Sequence, residues 1–367
     1  MAMEKLKLLE ETTFFTHIKN KPMNLKHALI TAITLGIIAL GSWELYWRSQ
    51  DYKPSIDDNK AFWAVQRDRV PNLSPDNVIL MGSSRTLFDI QLDNWENQTG
   101  KRPIQLANVG SSPLPVFHDI VENTNYSGTV IVGVTPGLFF STTFPEAEPW
   151  AWPQSRVDYY KDRTYAQRIN HQLSLPLQQN LVLMSAGEEE LDDNIDLKAL
   201  LKRIKIGERV PEIIPPFYEF GIMTSLDRNL EMTERTVTDT AFANTIINVW
   251  KFFANAAPPP DKEATMAYFL KDAEKFKARG GNLILIRCPS SGGLRVGESH
   301  GLPRTEFWDD LVQQANVKSY HFEDYEQFKN LKCPEWSHLS AEDAQYFTTE
   351  LAKLMLADNA ITTSKTN

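Results

Sequence analysis

The residues best suited to do chemistry in this chain are a serine pair and a histidine that follows an acid by three positions. In "VILMGSSRTLFDI", residues 78–90, an apolar run stops abruptly at Gly82, Ser83, Ser84 and Arg85. Far downstream, "CPEWSHLS", residues 333–340, carries Glu335 and His338. A serine hydroxyl is a poor nucleophile at neutral pH; it needs a base to take its proton, usually a histidine, and that histidine profits from an acid that fixes its tautomer. In a loop or a single turn, a Glu-x-x-His spacing lets one segment aim its imidazole at a distant serine while the carboxylate reaches the other ring nitrogen. The competing reading is a plain turn after a strand, with the Ser83 hydroxyl bonded to backbone. His118, expected on a helix, and His300, expected in a loop, are alternative bases, whereas His17, His27, His171 and His321 have no such context.

The elements that must position these residues follow from periodicity. "NVILMG" (77–82), "IQLANVG" (104–110) and "GTVIVGVTP" (128–136) are short, nearly continuous apolar runs, the pattern of strands buried on both faces, with helical spacing in "PVFHDIVENT" between the last two. The same grammar returns later: an amphipathic helix over 262–281 closed by a glycine pair, a strand in "NLILIRCP", a helix over 304–317, a strand in "KSYHFEDY", and a final helix capped by Ser340. Strand–helix–strand units at these separations predict an α/β fold with a central parallel five-stranded sheet. Chemistry in such sheets gathers beyond the carboxyl ends of the strands, where this reading places Gly82-Ser83-Ser84, Gly110 and Cys288-Pro289-Ser290.

On these blocks the chain resembles the SGNH (GDSL-like) hydrolases and acyltransferases. Their first block, a Gly-x-Ser after the first strand, falls on Gly82-Ser83-Ser84, and their last, an Asp-x-x-His before the final helix, on Glu335-Trp336-Ser337-His338. The resemblance implies a three-layer flavodoxin-like fold, Ser84 as nucleophile, His338 as base and Glu335 as its acid. It implies an oxyanion hole made by the Ser84 amide and Gly110 of the middle block "LANVGSS". It implies no cofactor and no metal. Two departures stand out: Glu replaces the usual Asp, and the family's oxyanion Asn after the third strand is replaced in "VGVTPG" by Thr135, leaving Asn108 as a substitute donor. Members with one N-terminal anchor include proteins that acylate exported glycans, often beside a multi-span membrane partner. The implied function is therefore an esterase or O-acyltransferase acting on a cell-envelope glycan, with a catalytically inactive scaffold subunit as the alternative.

The rest of the chain frames that expectation. "ALITAITLGIIALGSW", 28–43, carries no charge, and the apolar stretch from Leu25 to Trp47 has the length a bilayer requires. We read an uncleaved anchor over a cleaved signal peptide because the leader is long for an n-region. The expected organisation is a leader at 1–24, a transmembrane helix at 25–47, a juxtamembrane stalk at 48–75, the catalytic domain at 76–357 with a mostly helical insertion at about 140–261, and a flexible tail at 358–367. Lysines and arginines flank the span on both sides and do not orient it; the catalytic reading favours an exported body on a bacterial inner membrane. With 42% hydrophobic and 23% charged residues the chain is globular in composition, and a formal charge of −9 without basic clusters argues against a nucleic-acid partner.

Several residues keep two readings. Arg85 and Arg287, beside strand ends, either bind an anionic substrate group or pair with Asp or Glu. Cys288 and Cys333 fit no zinc spacing and are either one disulfide or two separate buried thiols. Trp150, Trp152, Tyr159 and Tyr160 either stack on sugar rings or pack a small core of the insertion. "PSSGG", 289–293, is glycine-rich but lacks the lysine of a phosphate loop, which excludes nucleotide binding by that motif.

Overall fold

The computed structural model describes residues 24–50, 52–141, 147–184, 215–256 and 259–363, and they form two compact units. The first comprises the N-terminal segment to Pro54 together with Leu181–Met184; the second holds the remainder. In the first unit, α1 (Leu25–Ser49) is capped by Asn24, whose side chain accepts the His27 N–H. It has 25 residues, of which an 18-residue window reaches a mean hydropathy of 1.7, long and apolar enough to cross a membrane. Trp43, Tyr46, Trp47 and Tyr52 stack edge to face near its C-terminal end. Glu44 turns inward there: its carboxylate pairs with Arg48 and accepts the N–H groups of Val182 and Leu183, both at 2.9 Å.

The second unit begins at Ser55. In chain order it contains α2 (Lys60–Arg69), β1 (Val78–Met81), α3 (Ser84–Asp89), α4 (Leu92–Thr99), β2 (Ile104–Gln105), α5 (Leu114–Asn123), β3 (Thr129–Gly133) and α6 (Pro136–Phe139). There follow α7 (Glu148–Asp162), α8 (Tyr165–Asn180), β4 (Gly221–Met223), β5 (Leu230–Met232), α9 (Glu234–Thr238), α10 (Thr240–Ala256) and α11 (Lys262–Ala278). The chain closes with β6 (Asn282–Arg287), α12 (Gly292–Gly301), α13 (Arg304–Ala315), β7 (Lys318–His321) and α14 (Ala341–Ala357).

All five strands expected from the apolar runs pair in parallel in one sheet, in the order β2-β1-β3-β6-β7. Alternate residues feed two cores. Ile79, Met81, Val130, Val132, Leu283 and Leu285 meet Trp63, Phe117, Phe269 and Leu311 on one face. Val78, Leu80, Ile131, Ile284 and Ile286 meet Trp95, Phe347 and Leu351 on the other. Burial on both faces is why these strands read as continuous apolar runs. The insertion after β3 is mostly helical but also holds the antiparallel pair β4–β5, which the sequence reading lacks. Residues 185–214 of the expected insertion lie outside the described residues.

Two segments read as peripheral belong to the body. Residues 55–75, expected as part of a stalk, include α2, whose Phe62 and Trp63 are fully buried and whose Arg67 pairs with buried Asp119 at 2.6 Å. The tail expected from 358 onwards starts by packing Ala360 and Ile361 into the core against α14. A short segment with few apolar residues looks like a linker until the partners it packs against are known.

Candidate active site

Ser83 and Ser84 stand where β1 ends and α3 begins. Ser83 is the N-cap, its hydroxyl accepting the Arg85 N–H at 3.3 Å and sharing a 2.6 Å hydrogen bond with Thr135 beyond β3. The turn into α3 is tight because Thr86 drops between two strand-end glycines: a Cβ on Gly82 would lie 2.0 Å from Thr86 Oγ1, and one on Gly133 1.8 Å from it. Only glycine permits that approach. Ser84 is left as the partly exposed member of a buried stretch.

The Glu335–His338 segment closes on Ser84 from the loop before α14. His338 Nε2 lies 2.8 Å from Ser84 Oγ, and His338 Nδ1 lies 2.8 Å from Glu335 Oε1. Both Glu335 and His338 are fully buried. The turn is fixed by Trp336, a non-glycine residue at φ +80°, whose N–H donates to the Cys333 carbonyl and whose carbonyl accepts the Ser291 N–H. A side chain held in the left-handed region persists only where its surroundings enforce it. Here Gly292 and Gly293 of the glycine-rich "PSSGG" supply the space: a Cβ on either would collide with the Trp336 indole.

Glu335 is heavily supported. Its carboxylate accepts the His338 N–H at 2.7 Å, the Ser337 N–H at 3.1 Å and the Trp250 indole N–H at 2.5 Å. A carboxylate gripped by that many donors is held in place, and it can hold hydrogen on Nδ1 so that Nε2 is free to accept from Ser84. Phe88, Phe220 and Trp250 surround the imidazole with ring centroids 4.6, 5.4 and 5.9 Å away. Asp89 anchors the next residue by accepting the Leu339 N–H at 2.9 Å, while Oδ2 of the same carboxyl is buried without a partner. Burial pushes the Asp89 carboxyl well above the usual carboxylate range.

Arg85 and Arg287 follow the ion-pairing reading and correct the substrate-binding one. They are 3% and 1% exposed and share Glu298 of α12, at 2.7 and 2.5 Å. Arg85 Nε also donates to Ser337 Oγ at 3.2 Å, so the guanidinium ties the serine-bearing helix to the histidine loop. Burial works against the Glu298 charge, but the two guanidiniums prevail and hold its carboxyl down to about 2. Ser290 adds a 2.8 Å hydrogen bond to the same carboxylate.

The remaining expectations divide. Asn108 sits beside the first block, its N–H donating to the Gly82 carbonyl at 3.0 Å, but its side-chain oxygen accepts from Arg228 at 3.3 Å. Gly110 lies two residues on, exposed, at φ +57°. His118 is engaged with Asp272 at 2.9 Å and His300 with the Val296 carbonyl at 2.8 Å, so neither alternative base serves Ser84. Cys288 and Cys333 are separate free thiols, both buried, and burial pushes both well above the usual thiol range. The insertion's aromatics form no separate core of their own: Trp150, Tyr159 and Tyr160 pack onto the main core, Trp150 edge to face with Tyr268 at 4.9 Å, Arg67 and Arg163 cover Tyr160, and Arg156 lies over Trp152.

Trp250, Glu298 and Asp89 went unnoticed in the sequence. Trp250 belongs to an insertion with no strand grammar, and α12 was hidden behind its own glycines. Among the described residues, His118, Glu122 and Asp272 have ligand atoms within 4.8 Å of one another, but Lys275 already holds Glu122 at 2.5 Å, so they form a local ion cluster on α5 and α11. No family model matches the chain, and no curated protein matches it either.

Proposed function

We propose that the chain is a membrane-anchored serine esterase or O-acyltransferase of the SGNH type, with Ser84 as nucleophile, His338 as general base and Glu335 as the acid that orients it. The observation that carries this reading is the continuous relay at 2.8 Å from Ser84 Oγ to His338 and at 2.8 Å from His338 to Glu335, built from segments far apart in the chain. Supporting it is the strand order: counted along the parallel strands alone, it runs 2-1-3-4-5, the order of flavodoxin-like sheets, with the serine at a strand's carboxyl end.

In this mechanism Ser84 Oγ attacks an acyl carbonyl as Nε2 takes its proton, and Glu335 stabilises the resulting imidazolium. The leaving alcohol departs with that proton. Water then releases the acyl group in an esterase, or an acceptor hydroxyl receives it in a transferase. The oxyanion donors in this reading are the Ser84 amide, one of the first-turn N–H groups for which a helix has no internal acceptor, and the amide of Gly110. An exported glycan as acceptor, a bacterial inner membrane as location and a multi-span membrane partner as acyl source follow from the resemblance.

One observation favours a second reading, an inactive scaffold subunit: Thr135, standing where the family has its oxyanion Asn, spends its hydroxyl on Ser83. Losing such a donor costs on the order of 10²–10³ in rate in a serine hydrolase. Labelling of the full chain with a fluorophosphonate probe separates the two. The enzyme reading expects the label on Ser84, lost in Ser84→Ala and His338→Ala proteins of unchanged circular dichroism. An unlabelled, folded wild-type chain would establish the scaffold.

A further inference from the structure

Helix α8 packs one face into the fold and leaves an apolar stripe on another. His171, Leu175 and Gln178 turn inward: the His171 ring lies 5.9 Å from Phe62, Leu175 packs on the cluster around Phe62 and Phe88, and Gln178 accepts the Asp57 N–H at 3.1 Å. Tyr165, Ile169, Leu173, Pro176 and Leu177 fall elsewhere. At about 100° per residue they occupy a sector of roughly 120° whose centre lies about 180° from the inward face. Tyr165 is 79% exposed, Leu173 69% and Leu177 47%. Leu226 and Val296 of this unit are also exposed but stand alone, which is ordinary for a protein surface, and the neighbouring Phe217 and Tyr218 rest on Phe220, Trp250 and Phe242.

Composition and connectivity say what this stripe meets. Arg168 is the only charged residue among the sixteen of α8, in a chain that is 23% charged. A helix face turned to water would carry far more. One peptide bond beyond Asn180 the chain enters Leu181–Met184, the segment whose N–H groups bind Glu44 on α1, within one turn of Trp43 and Trp47. Consecutive Cα atoms are about 3.8 Å apart, so chain connectivity alone limits how far α8 can end from the segment that binds Glu44. Aromatic groups of this kind mark the boundary between lipid and water.

We propose that α8 lies in the membrane surface with its Tyr165–Leu177 stripe immersed at the boundary between headgroups and acyl chains, a second attachment in addition to α1. The inference rests on the reading that α1 spans the bilayer. With a single arginine on the helix, apolar burial and not charge drives the contact, so anionic lipid is not required.

The test uses the full chain in phosphatidylcholine liposomes, with a nitrobenzoxadiazole dye on one introduced cysteine at a time; native Cys288 and Cys333 are buried and escape labelling in the folded protein. Leu35→Cys reports on α1, Leu173→Cys on the stripe, and Gln172→Cys on its polar flank. With 12-doxyl phosphatidylcholine as quencher for the mid-helix site of α1 and 5-doxyl phosphatidylcholine for the α8 sites, we expect the dye at Leu35→Cys and Leu173→Cys to lose about half its fluorescence or more, the dye at Gln172→Cys clearly less, and no increase on adding anionic lipid. Quenching at Leu35→Cys without quenching at Leu173→Cys overturns the α8 proposal alone, including the case in which protein covers the stripe. No quenching at Leu35→Cys overturns the anchor and the α8 proposal together.

Discussion

Trp250 donates its indole N–H to Glu335 at 2.5 Å, so a residue of the insertion supports the acid that orients His338. Hydrogen bonds to buried charges contribute about 1.5–3 kcal/mol, which corresponds to roughly ten- to a hundredfold in rate if the support acts on the relay. Trp250→Phe keeps most of the packing against His338 and Phe220 and removes only the donor. Its rate of phosphonate labelling, or of hydrolysis of an activated ester, should fall by about that factor in a chain whose circular dichroism is unchanged. An unchanged rate would reduce Trp250 to packing alone.

Glu335→Gln tests the relay at its far end. The amide places an NH2 group where one of two oxygens now accepts from His338 and Trp250, so either the histidine tautomer or the indole contact is lost. A drop of about 10³–10⁴ in kcat with KM nearly constant is the expectation, by the logic that governs an aspartate-to-asparagine change in a serine-protease triad. Comparable activity in Glu335→Gln and wild type would remove Glu335 from the mechanism.

Glu298 neutralises two buried arginines, and its carboxyl titrates at about 2 in place of the usual 4.5. The folded state therefore binds the proton less readily than the unfolded chain. The stability contributed is complete above about 4.5 and is lost as pH falls towards about 2. Glu298→Gln should remove about 3–5 kcal/mol at neutral pH and flatten the acid limb of the stability curve. Urea titrations from neutral to acid pH would show both effects, or neither if the ion network is not structural.

Asp89 carries the opposite sign. Its carboxyl is raised by burial, so the folded state holds the proton more readily, and stability falls as pH climbs from the unfolded value of 3.8 towards the raised one. Asp89→Asn keeps an oxygen for the Leu339 N–H and has nothing to titrate. It should melt at a higher temperature than wild type at neutral pH and converge with it in acid. A lower melting temperature at neutral pH would mean that the charge itself is needed beside Arg85.

The two thiols should behave as separate buried groups. Cys288 and Cys333 are expected to resist Ellman's reagent in the native protein, to yield two thiols per chain on denaturation, and to leave the melting temperature indifferent to reductant. A reductant-dependent melting temperature would establish a disulfide.

Much of this protein was legible in its sequence. The continuous apolar runs at Val78–Met81, Thr129–Gly133 and Asn282–Arg287 marked buried parallel strands, and the order Gly-Ser-Ser then Glu-x-x-His marked the pair that meets at 2.8 Å. The apolar helix Leu25–Ser49 was equally plain. These signals are local, because helical and strand periodicity and short motifs are completed within a few residues of one another. What only the tertiary structure decided lies between distant positions: the strand order, the seating of Phe62 and Trp63 in the core, Trp250 on Glu335, Glu298 between two arginines, and the separation of Cys288 from Cys333. Each depends on packing of side chains brought together by the whole fold, and no spacing along the chain encodes which buried donor will find which buried acceptor.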